Sequence, residues 1–198
     1  MIHICTVILA AGQSQRFNGI KQLAKVNSTG KCLLQYCLEA YADMPDISLV
    51  LGANAEQIRQ QCNISLPVIK NSNWQHGLST SIVEGVNNLP EKCTHMLIGL
   101  ADHISVSATH IQQLCDAAKQ YPAHIIVSQY EGIEGVPAIF PRQFFKGLLA
   151  LSGDNGAKKI IDQYPQQIRS VALQQGWLDI DTQTDLQNWL SSQKETRT

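Results

Sequence analysis

Charge is scarce in this chain and nearly balanced. Lys and Arg number 15, Asp and Glu 16, the net charge is −1, and charged residues make up 16% of the total. With no basic excess there is no long-range attraction to nucleic acid or to an anionic membrane, so any anionic ligand must be held by a local site. Long apolar runs are also missing. No stretch approaches the roughly 20 residues needed to cross a bilayer. The N-terminal "MIHICTVILAAG" lacks the basic flank of a signal peptide and reads as a first strand. Metal-binding or redox cysteine spacing is absent as well. The six cysteines (Cys5, Cys32, Cys37, Cys62, Cys93 and Cys115) form no C-x-x-C pair and do not alternate with histidines. They are expected to be small buried thiols of a reduced, cytoplasmic protein, with Cys5 on a strand and Cys37 and Cys115 on helices.

No internal repeat, low-complexity tract or linker interrupts residues 1–198, and 44% of residues are hydrophobic. That combination predicts one α/β domain with a sizeable core. Strand-like runs are "ICTVILA", "ISLVLGA", "LPVIK", "HMLIGLA", "HIIVSQY" and "VPAIF". Several are apolar on both faces, as in a parallel sheet covered on both sides. Between them "LLQYCLEAYADM", "AEQIRQQC", "TSIVEGVNNL" and "SATHIQQLCDAAKQY" keep apolar residues three and four apart, as does "TDLQNWLSSQ" near the end. The alternation predicts a doubly wound, mostly parallel sheet of Rossmann-like type. After Gln129, the Gly- and Pro-rich "YEGIEGVPAIFPRQFF" reads as a small hairpin insertion, and residues 129–165 as an insertion on the acceptor side. Thr182 and Asp185 have capping-box spacing, and the tail "SSQKETRT" is expected to fray.

The chemistry concentrates where the first strand ends. In open α/β sheets ligands bind beyond the carboxyl ends of strands. Here Leu9 is followed by the small Ala10 and Ala11, then Gly12, Ser14, Arg16 and Lys21. Gly12 can take backbone angles closed to other residues, and consecutive N–H groups can form an anion-binding nest. Arg16 offers a planar fork to phosphate oxygens and Lys21 a point charge. The loop is neither a P-loop, since no GK[ST] follows, nor a G-x-G-x-x-G dinucleotide turn. By itself it is equally consistent with a plain strand-to-helix turn carrying solvated basic residues.

Five motifs in order extend the reading. Leu9-Ala10-Ala11-Gly12 with Ser14, Arg16, Phe17, Gly19 and Lys21 matches L-A-A-G-x-S-x-R-[FM]-x-G-x-K. "NSNWQHGLSTSIVEGV", "LIGLADHISV", "GVPAIFPRQFFKGLLALSGDNGAKKII" and "DIDTQTDL" follow. Together these segments resemble the molybdenum cofactor cytidylyltransferases and related nucleotidyltransferases. Two positions depart from that family's pattern. His103-Ile104 follow Asp102 where Gln-Pro is usual, and Val136 stands between Gly135 and Pro137 where His is usual. Both bear on the acceptor pocket.

The resemblance implies transfer of CMP from CTP to a phosphorylated pterin acceptor with release of pyrophosphate. A molybdoenzyme or its chaperone would receive the product. Leu9, Ala10, Ala11, Gly12, Ser14, Arg16 and Lys21 would hold the triphosphate, and Gly77, Ser79 and Ser81, with Thr80, the nucleoside. Asp102 and Asp181 would ligate Mg²⁺, with Asp179 two residues before the second. Arg16, Lys21 and Asp102 would serve catalysis. Trp74 reads as packing, and His76 as a loop residue in solvent. Lys158 and Lys159 suit either an acceptor phosphate or a solvated helix face. A phosphate nucleophile is already ionised, so His103 is given no catalytic role. Guanylyl or sugar-phosphate transfer remains an alternative, as does non-catalytic nucleotide or cofactor binding. L-A-G-G is more usual in the guanylyl relatives, so Ala11 favours cytidine.

Overall fold

Every residue of the first strand, β1 (Ile4–Leu9), is buried, as a strand must be when helices cover both of its faces. The computed structural model describes residues 1–26, 30–173 and 178–195. After β1 come α1 (Leu33–Leu38), β2 (Asp46–Leu51), α2 (Ala55–Gln61), β3 (Val68–Lys70) and α3 (Leu78–Asn87). Next are β4 (His95–Leu100), α4 (Ala108–Gln120), β5 (Ile125–Tyr130) and β6 (Ile133–Pro141). The chain closes with α5 (Phe145–Leu149), α6 (Lys158–Gln163), β7 (Ile168–Ala172) and α7 (Gln183–Glu195).

The seven strands form one sheet in the order β3-β2-β1-β4-β6-β5-β7. All pairs are parallel except those of β6, which runs antiparallel to both β4 and β5. The strands flanking β1 are β2 on one side and β4 on the other, so the winding reverses at β1. That reversal is where an open α/β sheet leaves a crevice beyond its carboxyl ends. Register sharpens the point: Leu9, the last residue of β1, pairs with Leu100, the last of β4. The loops leaving both strands therefore start level and side by side.

Alternate residues of β1 serve opposite cores. Cys5, Val7 and Leu9 pack with Ile82 and Val86 of α3, Leu148 of α5 and Ile160 of α6. Ile4 and Ile8 pack on the other face with Leu34 of α1, Ile58 of α2, and Ile111 and Leu114 of α4. A third, smaller core joins Phe17, Leu33, Cys37, Ile104 and Ile180 to Leu186 and Trp189 of α7. All six cysteines are free and buried.

Two features add to the expected pattern. The hairpin between β5 and β6 is present, turning through Glu131 and Gly132 with φ of 47° and 80°, the two positive angles of a tight hairpin turn. Its second strand sits in the interior of the sheet, between β4 and β5. Strand β7 was not expected. "IRSVA" carries exposed Arg169 and Ser170 and buries only Ile168, so it lacks the apolar run that betrays interior strands. At the other end of the chain, α7 continues through the expected frayed tail to Glu195, and residues 196–198 lie outside the described residues.

Gly99 of β4 shows how tightly the layers meet. A Cβ there would lie 2.4 Å from Tyr41 Oη and 2.8 Å from Ile8 Cδ1, both in buried side chains. Gly99→Ala should destabilise the fold by about 1–3 kcal/mol, the usual cost of overpacking a core. Urea denaturation monitored by circular dichroism would read this as a lower midpoint at unchanged slope.

Candidate active site

The loop after β1 leaves the sheet in two anchored steps. Ala10 N–H donates to Val50 C=O at 2.9 Å, and Ala11 C=O accepts from Ala53 N–H at 3.0 Å. Beyond them, among the described residues, the N–H groups of Gly12, Gln13 and Ser14 donate to no backbone carbonyl. They are unspent donors of the kind that cradle an anion. The left-handed angle in this loop belongs to Ser14 (φ 59°), with Asn18 (φ 53°) closing the following turn. Gly12 does not take a positive φ. Its use is steric openness, since a Cβ there would meet nothing within 4 Å. Ser14 keeps its strained angle because Gln22 holds the loop. The Gln22 side chain donates to Ala10 C=O at 3.0 Å and Gly12 C=O at 3.4 Å, and accepts from Ser14 Oγ at 3.3 Å. Gln22 is buried and was missed as a site residue. Its only local signal is its place beside Lys21.

Four charged side chains then converge from three separated segments. Lys21 Nζ donates to Asp102 Oδ2 at 2.7 Å and to Asp181 Oδ1 at 3.1 Å. Arg16 Nη2 donates to Asp181 Oδ2 at 2.7 Å. The Lys21 side chain is only 12% exposed, whereas that of Arg16 is 74% exposed. Burial works against the charge on Lys21, but the carboxylates of Asp102 and Asp181 outweigh it and hold its pKa above the ordinary lysine value. Arg16 and Lys21 sit in successive 3-10 turns, the first fixed by buried Phe17.

Asp102 lies two residues beyond the end of β4, and Asp181 precedes α7. Residues 102–104 and 178–180 lie antiparallel. Ile180 N–H donates to Asp102 C=O at 3.2 Å, and Ile104 N–H to Leu178 C=O at 3.1 Å. The expected capping box is present, with Thr182 N–H donating to Asp185 Oδ2 at 2.7 Å and Asp185 N–H to Thr182 Oγ1 at 3.1 Å. Thr182 thus caps the helix, and the Asp181 carboxylate is left to face the two cations. Among the described residues, Asp102 Oδ1 is buried with no hydrogen-bond partner. An orphaned buried carboxylate oxygen needs an explanation, and a divalent cation supplies one. Asp102 and Asp181, both within reach of one ammonium, fit such an ion.

The opposite wall departs further from expectation. Gly77 does not make room for a ligand. A Cβ on it would lie 2.3 Å from the backbone of Gly153, and its φ is 102°. The chain at 153–154 packs directly on the start of α3, where Ser79 N–H donates to Gly153 C=O at 3.1 Å. Ser79 is buried and does not line the cavity; Ser81 does. Asn71 donates to Thr80 Oγ1 at 2.8 Å and to Ser81 Oγ at 3.0 Å, so it organises those hydroxyls from within. Trp74 packs on the backbone at Gly52 and Ala11 and also forms part of the wall. His76 is exposed and away from the cavity. Lys158 pairs with Asp162 along α6, and neither Lys158 nor Lys159 reaches the cavity.

These walls enclose an open cavity of about 640 Å³, within the roughly 300–1,000 Å³ usual for small-molecule sites. Leu9, Ala10, Ala11, Gly12 and Ser14 line it along β1 and its loop. Arg16, Lys21, Asp102 and Asp181 form the charged corner, and Gly77, Leu78, Ser81 and Asp154 the far side. Asp154 was missed, although it lies inside the quoted "GDNG". Neither His103, Ile104 nor Val136 lines this cavity.

Comparison with known proteins identifies the family and the fold. A family model described as the MobA-like NTP transferase domain matches residues 6–168. Comparison with curated protein sequences finds no match. The structure is similar to that of Rv0371c from Mycobacterium tuberculosis, at 25% identity and a TM-score of 0.81, covering 96% of this chain and 98% of that one. The manganese complex of Rv0371c gives 24% identity and a TM-score of 0.77 over the same shares. A nucleotidyl transferase from Methanothermobacter thermautotroptrophicus gives 16% identity and a TM-score of 0.79, covering 98% of both chains. The fold is the Rossmann-like nucleotidyltransferase fold.

Replacing Gly77 tests the far wall. Gly77→Ala forces a side chain into the Gly153 backbone at a strained angle, and strain of this kind costs about 1–3 kcal/mol before the clash is counted. A lowered melting temperature is expected in differential scanning calorimetry, together with at least a tenfold loss of nucleotide affinity.

Proposed function

The chain belongs to the MobA-like NTP transferase domain family, and on that premise we propose that it is a Mg²⁺-dependent cytidylyltransferase. It moves CMP from CTP to the terminal phosphate of a molybdopterin-type cofactor. The observation that carries this reading is the convergence of Arg16, Lys21, Asp102 and Asp181 beside the unspent amides of the β1 loop.

The reaction forms one P–O bond and breaks another. An oxygen of the acceptor phosphate attacks the α-phosphorus, and the bridging oxygen to the β-phosphorus leaves with its electron pair as pyrophosphate. No covalent enzyme intermediate is needed, so the protein's work is positioning and electrostatic stabilisation. The amides of Gly12, Gln13 and Ser14 and the fork of Arg16 receive the outer phosphates. Lys21, largely buried and held cationic, would sit where negative charge accumulates on the leaving group. Asp102 and Asp181 would hold the divalent ion, which neutralises phosphate charge. The manganese complex of Rv0371c is consistent with an ion in this fold. Ala10 and Ala11 line the cavity, and the resemblance supports the choice of base, since guanylyl relatives more often have glycine at the second of these positions.

The test is calorimetry with CTP, GTP and ATP, each with and without Mg²⁺, followed by pyrophosphate release with molybdopterin as acceptor. CTP should bind tightest and only with the metal, and pyrophosphate should follow. Lys21→Ala should lower kcat by roughly 10²–10³, the scale for one preorganised donor, and Asp102→Asn should remove the metal dependence with the turnover. Preference for GTP would transfer the assignment to guanylyl transfer. Nucleotide binding with no pyrophosphate from any acceptor would make the protein a carrier and overturn the reading.

A further inference from the structure

Three carboxylates stand near the charged corner, yet only two face Lys21. The third, Asp179, is engaged elsewhere. His103 Nε2 lies 2.8 Å from Asp179 Oδ1, and the His103 side chain is 2% exposed. The ligand atoms of Asp102, His103 and Asp179 all lie within 4.8 Å of one another. The two carboxylate neighbours of His103 thus come from the same two segments that supply Asp102 and Asp181. His103 and Asp179 are also directly opposed in the short antiparallel bridge between those segments. Around that bridge, Ile104 and Ile180 sink into the third core with Phe17 and Trp189, and Ser105 Oγ accepts from Leu178 N–H at 3.3 Å.

We propose that the His103–Asp179 pair is a clasp that positions Asp181 against Asp102 and withholds Asp179 from the metal; this rests on the reading of the site given above. Asp181 lies outside any strand or helix. Its direction is set by the cap at Thr182 on one side and by the bridge at residues 178–180 on the other. Loop backbone alone holds such a segment loosely, because its amide bonds with 102–104 are few. A buried histidine set against a partly exposed carboxylate across the bridge fixes the register. It also engages, at 2.8 Å, a carboxylate that otherwise stands within a few ångströms of Asp102, where like charges repel or compete for one cation. Groups that orient metal ligands in this way typically change metal affinity by about 10–100-fold when removed. His103 touches neither the cavity nor any reacting atom, so it is a positioning residue. A glutamine at position 103 also carries a side-chain N–H, so His103→Gln keeps a donor opposite Asp179.

The experiment is a Mn²⁺ titration of the full chain in the presence of a non-hydrolysable CTP analogue, read by the electron paramagnetic resonance of free Mn²⁺. Circular dichroism and a thermal melt accompany each variant. His103→Ala and Asp179→Ala should each weaken Mn²⁺ binding by about 10-fold or more, and the double variant should be no weaker than the worse single. His103→Gln should restore affinity. In turnover assays kcat should fall in the alanine variants and recover with Gln, while KM for the acceptor stays within about twofold. If His103→Ala fails to fold, Asp179→Ala, which alters a partly exposed side chain, and His103→Gln carry the test. Wild-type affinity in His103→Ala or in Asp179→Ala overturns the clasp while leaving the nucleotide site intact. Loss of binding in Asp179→Ala with His103→Ala unaffected makes Asp179 a ligand and also overturns it. Absence of Mn²⁺ binding by the unaltered chain overturns the metal site itself and is told apart by the wild-type curve.

Discussion

The site is organised by an electrostatic problem: two carboxylates from distant parts of the chain, Asp102 and Asp181, are held close enough for one ammonium to touch both. Side by side in a partly desolvated corner, two such anions repel. Lys21 resolves this in the protein alone, and its raised pKa records how strongly the pair holds its proton. A loop carrying the compensating cation is therefore drawn to the same corner, and its free amides come with it. The arrangement that neutralises the two carboxylates is the one that presents a cationic cradle to a polyanion. Binding and folding thus share one set of charges, and neither Asp is replaceable without disturbing Lys21.

Winding order makes this possible. Because the sheet reverses at β1, the ends of β1 and β4 are neighbours although some 90 residues separate Leu9 from Leu100. The bridge of 102–104 with 178–180 then brings in the last loop. The antiparallel β6 closes the sheet beside β4 without altering these ends. The family membership and the fold follow from such features. Choice of base and acceptor does not, because it depends on which few side chains face the cavity.

Much of this was legible in local pattern. The apolar run of β1, the small loop behind it, Asp102 at a strand end and the Thr182–Asp185 box all announce themselves through periodicity or fixed spacing. What stayed hidden depends on partners distant in sequence. Gln22 looks like any polar residue until its amide is seen under Ala10 and Gly12. Gly77 invites a ligand-approach reading, yet it answers to the Gly153 backbone. Ser79 and Ser81 differ by two positions on one helix, and only the second turns toward the cavity. Strand β7 escapes because edge strands bury little, and β6 gives no hint that its neighbours are β4 and β5. Ser14 shows the same limit: its left-handed angle is imposed by the loop's hydrogen bonds, and its residue type does not advertise it.

The contact between Gly77 and Gly153 has a mechanical side. With no side chain between them, the turn at 153–154 rests backbone to backbone on the first turn of α3, tied by the Ser79–Gly153 hydrogen bond. Packed protein layers are stiff and transmit displacement rather than absorbing it. A nucleotide that tilts α3 on arrival therefore carries Asp154 with it. The two banks of the far wall behave as a single lever, and whatever seats itself against one is felt by an occupant of the other.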